Sequence, residues 1–134
     1  RFYLAWRWPI NNWDLVDTSA PGILGAHLPH NRIAPLVRLA GSPQLWERRV
    51  AMLATFHHIK TGEFAPALRI ARLLRNDPHP LLHKAVGWML REVGERDQSV
   101  ECRFLDEHWR SMPRTAVRYA IERLPESVRR KYTR

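Results

Sequence analysis

Asp17 is an acidic residue at a position where a predicted helix should be apolar. On a helix with about 100° of rotation per residue, it shares one stripe with Trp13, Leu24 and Leu28. A carboxylate among apolar side chains is costly unless it is paired or functional. Two interpretations follow: Asp17 is a reactive carboxylate, or it caps a helix or pairs with a nearby arginine.

Arg49 shows the same conflict with the opposite charge. The helix predicted after Pro43 places Arg49 on its apolar side and points Glu47 and Arg48 outward. A guanidinium on an apolar side either pairs with a buried acid, for which Asp17 is available, or reaches into a groove for phosphate.

Trp88 lies at the edge of an apolar helix face, with Lys84 one turn before it and Arg91 one turn after it. A large ring between two cations is typical of a stacking platform beside a phosphate track. A tryptophan packed between helices is the alternative. Gly87 has no side chain, so another backbone should approach closely beside the ring.

Other candidate residues give weaker signals. Arg114 and Arg118 share a helix face and can grip phosphates, although a solvated basic face is the other interpretation. His79 and His83 have a zinc-compatible spacing, but no third ligand is evident, so we predict no metal and no cofactor. The sequence has no Gly-rich phosphate loop and no GxSxG or HExxH motif.

The composition is that of one globular domain with a basic surface. Of 134 residues, 45% are hydrophobic, and 22 Lys and Arg against 13 Asp and Glu give a net charge of +9. Such a domain usually faces a polyanion. The single Cys102 excludes an internal disulfide and fits a reducing compartment. No apolar run approaches the about 20 residues of a membrane helix, so we expect a cytoplasmic protein.

Helix signals dominate the chain, and strand signals are nearly absent. Ser42-Pro43 and Asp77-Pro78 each read as a capping residue followed by proline at the first helical position. Asn31 should cap a helix that contains Pro35. The other predicted helices cover residues 13–28, 43–59, 62–75, 78–96, 99–110, 113–124 and 125–132.

Two stretches resemble copies of each other. The segments that follow Ser42-Pro43 and Asp77-Pro78 are related at an offset of about 36 residues, as in HEAT-like helix-pair repeats. We therefore predict an all-α fold in which antiparallel helix pairs form a curved α-solenoid. The chain opens on apolar and aromatic residues, Arg1 to Trp8, so we expect that its N-terminal helices are missing.

Five short motifs together resemble the DNA alkylation repair enzyme family, the AlkD-like glycosylases. They are Asn11-Asn12-Trp13-Asp14-Leu15-Val16-Asp17, Ile23-Leu24-Gly25, Trp46-Glu47-Arg48-Arg49, Lys84-Ala85-Val86-Gly87-Trp88-Met89-Leu90-Arg91-Glu92, and Met112-Pro113-Arg114 with Arg118-Tyr119-Ala120. The similarity runs in order over essentially the whole chain, 1–134. It implies a glycosylase whose HEAT-like helix pairs curve around duplex DNA and which excises purines alkylated at N3 or N7. We expect a monomer that is associated with the nucleoid when it is bound to DNA.

The resemblance also implies residue roles. Trp13 and Trp88 match the family's paired active-site tryptophans, Asp17 its catalytic carboxylate, Arg49 its groove-lining arginine and Arg91 a basic residue of the DNA-binding surface. The full set predicted to bind DNA is Arg48, Arg49, Lys84, Arg91, Arg114 and Arg118. The alternatives are a non-catalytic HEAT-like module that binds nucleic acid, and a protein-binding scaffold, which the charge of +9 disfavours.

Overall fold

The computed structural model describes residues 28–29 and 32–133 of the chain, and the predicted all-α class is confirmed there. Eight α-helices make up most of this part, and two short 3₁₀ helices cover Trp109–Ser111 and Arg130–Tyr132. In chain order the α-helices are α1 (Ala34–Ala40), α2 (Leu45–Ala54), α3 (Phe56–Lys60), α4 (Ala65–Leu74), α5 (Pro80–Arg96), α6 (Gln98–His108), α7 (Arg114–Ile121) and α8 (Glu126–Arg129).

The 17-residue helix α5 is the centre of this fold. It packs against α2 and α4 and also against α6 and α7. Its buried side chains recur every three or four residues, which is the spacing of one helix face: Leu82, Ala85, Val86, Met89, Leu90 and Val93. The remaining face carries Lys84 and Trp88, so the packing of α5 decides where these two side chains lie.

The two predicted cap-then-proline starts are wrong by two residues. Helices α2 and α5 begin at Leu45 and Pro80. Ser42 Oγ accepts the Gln44 N–H at 3.0 Å, and Asp77 Oδ1 accepts the His79 N–H at 3.0 Å. These side chains therefore form turns that precede each helix, because a short polar side chain can satisfy the backbone two residues on.

The predicted helix 43–59 is interrupted at Thr55. Helix α2 ends at Ala54 and α3 begins at Phe56. The Thr55 hydroxyl is buried and donates to the Met52 carbonyl at 2.7 Å, a local bond that competes with helix continuation. As a result Phe56 belongs to a separate short helix that contacts α5.

Gly87 brings α5 and α7 into close approach. A Cβ atom at Gly87 would lie 2.5 Å from the Ala116 carbonyl oxygen and 2.6 Å from Tyr119 Cβ. No side chain fits at these distances, so the predicted approach of another backbone is confirmed. It fixes how α7 lies beside the exposed face of α5.

Glu101 is a buried acid that the sequence did not single out. Its side chain on α6 is 1% exposed and occupies the space left by Gly94, where a Cβ atom would overlap its carboxylate. Burial first, and then the charge of Glu95, raise the pKa of Glu101 to about 8, while Arg91 acts to lower it. A pKa in this range favours the protonated carboxyl in the folded chain at neutral pH.

Two contacts secure the outer segments of the described chain. His58 on α3 is 4% exposed, and its Nε2 atom is 2.6 Å from the Leu28 carbonyl oxygen. Tyr132, 1% exposed, donates its hydroxyl to Asp106 Oδ1 on α6 at 2.7 Å. Among the residues described, no helix is long and apolar enough to cross a bilayer.

Candidate functional site

Trp88 lies half-buried on α5, at the edge of the apolar face, as its position in the helix predicts. Its indole Nε1–H donates to Glu92 Oε2 at 3.1 Å. The ring also lies beside Phe56 of α3, with centroids 6.3 Å apart and ring planes tilted by 39°. The indole is thus held at its nitrogen edge and along one flank.

The two residues that contact Trp88, Glu92 and Phe56, have further partners of their own. Glu92 accepts a 3.0 Å hydrogen bond from Arg96 through its second oxygen, Oε1. The Arg96 guanidinium lies 5.8 Å from the Phe56 ring centroid, and Lys60 Nζ lies 5.1 Å from it. Trp88, Glu92 and Arg96 follow each other at intervals of four residues, the spacing of neighbours on one helix face. That signal was available in the sequence, whereas the contact with Phe56 depends on the break at Thr55.

Arg49 reaches from α2 to the first turn of α5. Its Nη1 atom donates to the Leu81 carbonyl oxygen at 2.6 Å. The side chain is partly buried, as its place on the apolar side of α2 indicates. One role of Arg49 is therefore to hold the start of α5, the helix that carries Trp88.

The predicted outward orientation of Glu47 and Arg48 is wrong. Glu47 is 6% exposed and accepts a hydrogen bond from the Ser42 hydroxyl. Arg48 Nε and Nη2 bind the two carboxylate oxygens of Asp77 at 2.7 and 3.4 Å, and Nη1 donates to the Ser42 carbonyl at 3.1 Å. The side chains of Arg48 and Asp77 are only 17% and 6% exposed. The turns before α2 and α5 meet here, so these side chains satisfy buried polar groups.

Lys84 and Arg118 line an open surface groove between α5 and α7. The groove has a volume of about 320 Å³, and Thr115, Tyr119 and Glu122 complete its lining. Both cations are exposed. Lys84 lies one helical turn before Trp88 on α5, so one lining cation of the groove and the partly exposed indole are neighbours on the same helix.

The other two predicted cations lie near the ends of α7. Arg91 is 17% exposed, pairs with Glu122 at the rim of the groove and has its Nε atom 3.9 Å from Glu95. Arg114 is exposed, and its Nη2 atom donates to the Thr133 carbonyl at 3.3 Å. Arg91 therefore flanks the groove with its charge engaged by carboxylates.

The predicted zinc-compatible histidines have structural roles. His79 Nδ1 accepts the Leu81 N–H at 3.1 Å and so caps α5. His83 Nε2 lies 2.6 Å from the Asp77 carbonyl oxygen. Within residues 28–29 and 32–133, no group of three or more metal-ligating side chains occurs.

Trp13 and Asp17 lie outside the described residues, as does the motif Ile23-Leu24-Gly25. The predicted meeting of Asp17 with the two tryptophans, and its pairing with Arg49, stay predictions.

A family model described as DNA alkylation repair enzyme matches residues 1–124. The matched range includes Trp13 and Asp17 as well as the whole site on α5 and α7. No curated protein and no solved structure matches the chain.

Proposed function

The chain belongs to the DNA alkylation repair enzyme family, and from this premise we propose that it is a monofunctional glycosylase. Its substrate is duplex DNA that carries purines alkylated at N3 or N7. The observation that carries the proposal is the half-buried ring of Trp88, which follows Lys84 of the basic groove by one turn of α5. We further propose that it acts as a monomer on the nucleoid, in the cytoplasm.

The chemistry follows from the charge of the lesion. Alkylation at N3 or N7 makes the purine a cation, which leaves without protonation, so a general acid is unnecessary. The remaining barrier is the oxocarbenium character of the deoxyribose. In our proposal Asp17 stabilises this cation electrostatically and orients or deprotonates the attacking water. No lysine is assigned as a Schiff-base nucleophile, which is why the proposed enzyme is monofunctional.

Trp88 supplies an aromatic surface for the lesion. An indole face attracts a cation within about 6 Å of its centroid, and the attraction grows when water is excluded. Phe56 and Glu92 both contact the ring, so the Trp88 side chain loses less conformational freedom when DNA binds. In the proposed site Trp13 packs on the same nucleotide.

The basic residues hold the DNA backbone in this proposal. Lys84 and Arg118 line the groove, and cations in such a track bind phosphates and set the register of the duplex. Arg91 joins them when a phosphate replaces Glu122 as its partner. Arg49 and Arg114 complete the set, whereas Arg48, bound to Asp77, contributes chiefly by fixing the turn before α5.

The direct test is base release from duplex DNA that contains 7-methylguanine, measured by chromatography of the free base. We expect the wild type to release it and Asp17→Asn to lose at least about 10²-fold in rate, the contribution typical of a positioned acid or base. Trp88→Ala should be slower than the wild type.

Glu107→Gln, an exposed acid on α6, is the matched control and should remain fully active. Full activity in Asp17→Asn contradicts the assigned roles. Salt-dependent binding of DNA without any base release identifies the alternative, a non-catalytic nucleic-acid-binding module.

A further inference from the structure

We propose that Glu92 is a positioning residue that fixes the orientation of the Trp88 indole and so controls the rate of base excision. The inference rests on the proposed function. It starts from the hydrogen bond of 3.1 Å from the indole Nε1–H to Glu92 Oε2. An indole has one hydrogen-bond donor and no acceptor, so this bond uses its entire polar capacity.

The acceptor is well suited to orient a ring. Glu92 lies one helical turn after Trp88, and its side chain is only 17% exposed. A hydrogen bond to an ionised carboxylate is stronger than one between neutral groups, and water competes little at a partly buried atom. Rotation of the indole about its side-chain bonds would break this bond.

Glu92 is itself fixed. While Oε2 accepts from Trp88, Oε1 accepts from Arg96 Nη1 at 3.0 Å, and the same guanidinium nitrogen donates to the Glu92 backbone carbonyl at 3.0 Å. The two carboxylate oxygens therefore accept hydrogen bonds from two different side chains. An ordinary exposed ion pair at this spacing contributes little to stability and directs nothing. The pair of Glu92 and Arg96 differs because one carboxylate oxygen binds the guanidinium and the other binds the indole N–H.

The second contact of the Trp88 ring, with Phe56, is also linked to Arg96. Phe56 lies 6.3 Å from the Trp88 ring, and Arg96 lies over Phe56 at 5.8 Å. Arg96 thus contacts both groups that hold the indole. Removal of the Glu92 side chain removes the hydrogen bond to the indole N–H and one hydrogen bond of Arg96. The indole ring can then rotate, while its contact with Phe56 remains.

The expected effect is on the chemical step. Phosphate contacts dominate the affinity for DNA, and in the proposed site other side chains make them. An indole set at the wrong angle instead loses contacts that matter in the transition state, where a misplacement of about 1 Å can cost about 10²-fold. We therefore expect Glu92→Ala to lower the single-turnover rate by roughly 10- to 100-fold, with DNA affinity nearly unchanged. Glu92→Gln keeps an oxygen acceptor and should recover most of the rate.

The experiment combines kinetics with a spectroscopic readout. Single-turnover base release and DNA affinity are measured with 7-methylguanine duplex DNA. The six tryptophan indole N–H resonances are followed by ¹⁵N-correlated NMR, and Trp88→Phe assigns the relevant one. In Glu92→Ala the Trp88 indole proton should shift and exchange faster, while Glu92→Gln restores both signal and rate. The resonances of Trp46 and Trp109 report that the fold is intact.

Glu126→Ala is the matched control, because Glu126 also pairs with an arginine four residues on, Arg130 at 3.4 Å, without an indole. It should change neither the rate nor the resonance. If the wild type is active and Glu92→Ala releases base at the same rate, this inference alone is overturned. The same holds if Glu92→Gln recovers the Trp88 resonance but not the rate. A wild type that releases no base overturns the proposed function and this inference with it.

Discussion

At the scale of single residues, two of the cations predicted to bind DNA are already paired with carboxylates. Arg48 binds Asp77, and Arg91 binds Glu122 at the rim of the groove. A phosphate that approaches Arg91 must displace a carboxylate, whereas Lys84 and Arg118 present their charges at the groove surface. In the proposed binding mode, Lys84 and Arg118 therefore make the first contacts with DNA, and Arg91 engages later.

The buried Glu101 makes stability depend on pH. Burial raises its pKa from the ordinary value of 4.5 to about 8 in the folded chain, so the folded state binds an extra proton between these two pH values. The free energy of unfolding should therefore fall as pH rises from about 4.5 to about 8, by at most about 1.4 kcal/mol per pH unit from this group. Glu101→Gln, which mimics the protonated form, should remove that dependence.

Urea unfolding of both chains across this pH range is the measurement. Glu107→Gln, on the same helix and exposed, should keep the wild-type slope. Parallel pH profiles for the wild type and Glu101→Gln would contradict the assignment, since all other titrating groups are common to both.

At the scale of elements, periodicity placed some side chains correctly and not others. Trp88 and Gly87 were predictable because the helix period alone fixes which face of α5 they occupy. Glu47 and Arg48 were not, because their orientation depends on the meeting of two turns that are distant in sequence. The contact of Phe56 with Trp88 was missed for a similar reason, since it follows from the helix break at Thr55.

Gly87→Ala should separate α5 from α7. The new Cβ atom would meet backbone and Cβ atoms at 2.5 and 2.6 Å, which cannot move as a flexible side-chain tip can. Overpacking of this kind costs about 1–3 kcal/mol, occasionally more, in the free energy of unfolding. Thermal or urea unfolding measures the loss.

Gly41→Ala is the control for this substitution. Its nearest atoms would lie at 3.7 Å, an ordinary contact distance, and Gly41 has a φ of −90° that alanine readily adopts. It should leave stability nearly unchanged. Equal stability of both variants would show that α7 can shift without cost.

At the scale of the whole molecule, the net charge of +9 and the all-α class could be read from the sequence. The location of the groove could not, because it forms where Gly87 lets α7 approach α5 and so depends on a tertiary contact. The curved solenoid and the meeting of Asp17 with Trp88 stay predictions, since both require more of the chain than the structure describes.

Binding of duplex DNA should be strongly dependent on salt. Each phosphate contact contributes about 0.9 to the slope of log affinity against log salt concentration. Lys84→Ala and Arg118→Ala should therefore each reduce that slope by roughly one unit and weaken binding without regard to sequence. Fluorescence anisotropy with an unmodified duplex over a salt series measures this.

Arg69→Ala is the comparison variant for that series. Arg69 is exposed on α4, a helix that does not line the groove. It should retain the wild-type slope. If Arg69→Ala lowers the slope as much as Lys84→Ala does, DNA binding depends on the net charge of the protein and not on the groove.

The contact between His58 and Leu28 determines where one hydrogen atom resides. A backbone carbonyl can only accept, so the 2.6 Å bond requires the hydrogen on Nε2 of the imidazole. The Nδ1 atom of the same ring is buried without a hydrogen-bond partner among the described residues. His58 thus links α3 to residue 28 as a donor, and a replacement of similar shape that lacks an N–H at that atom cannot make the link.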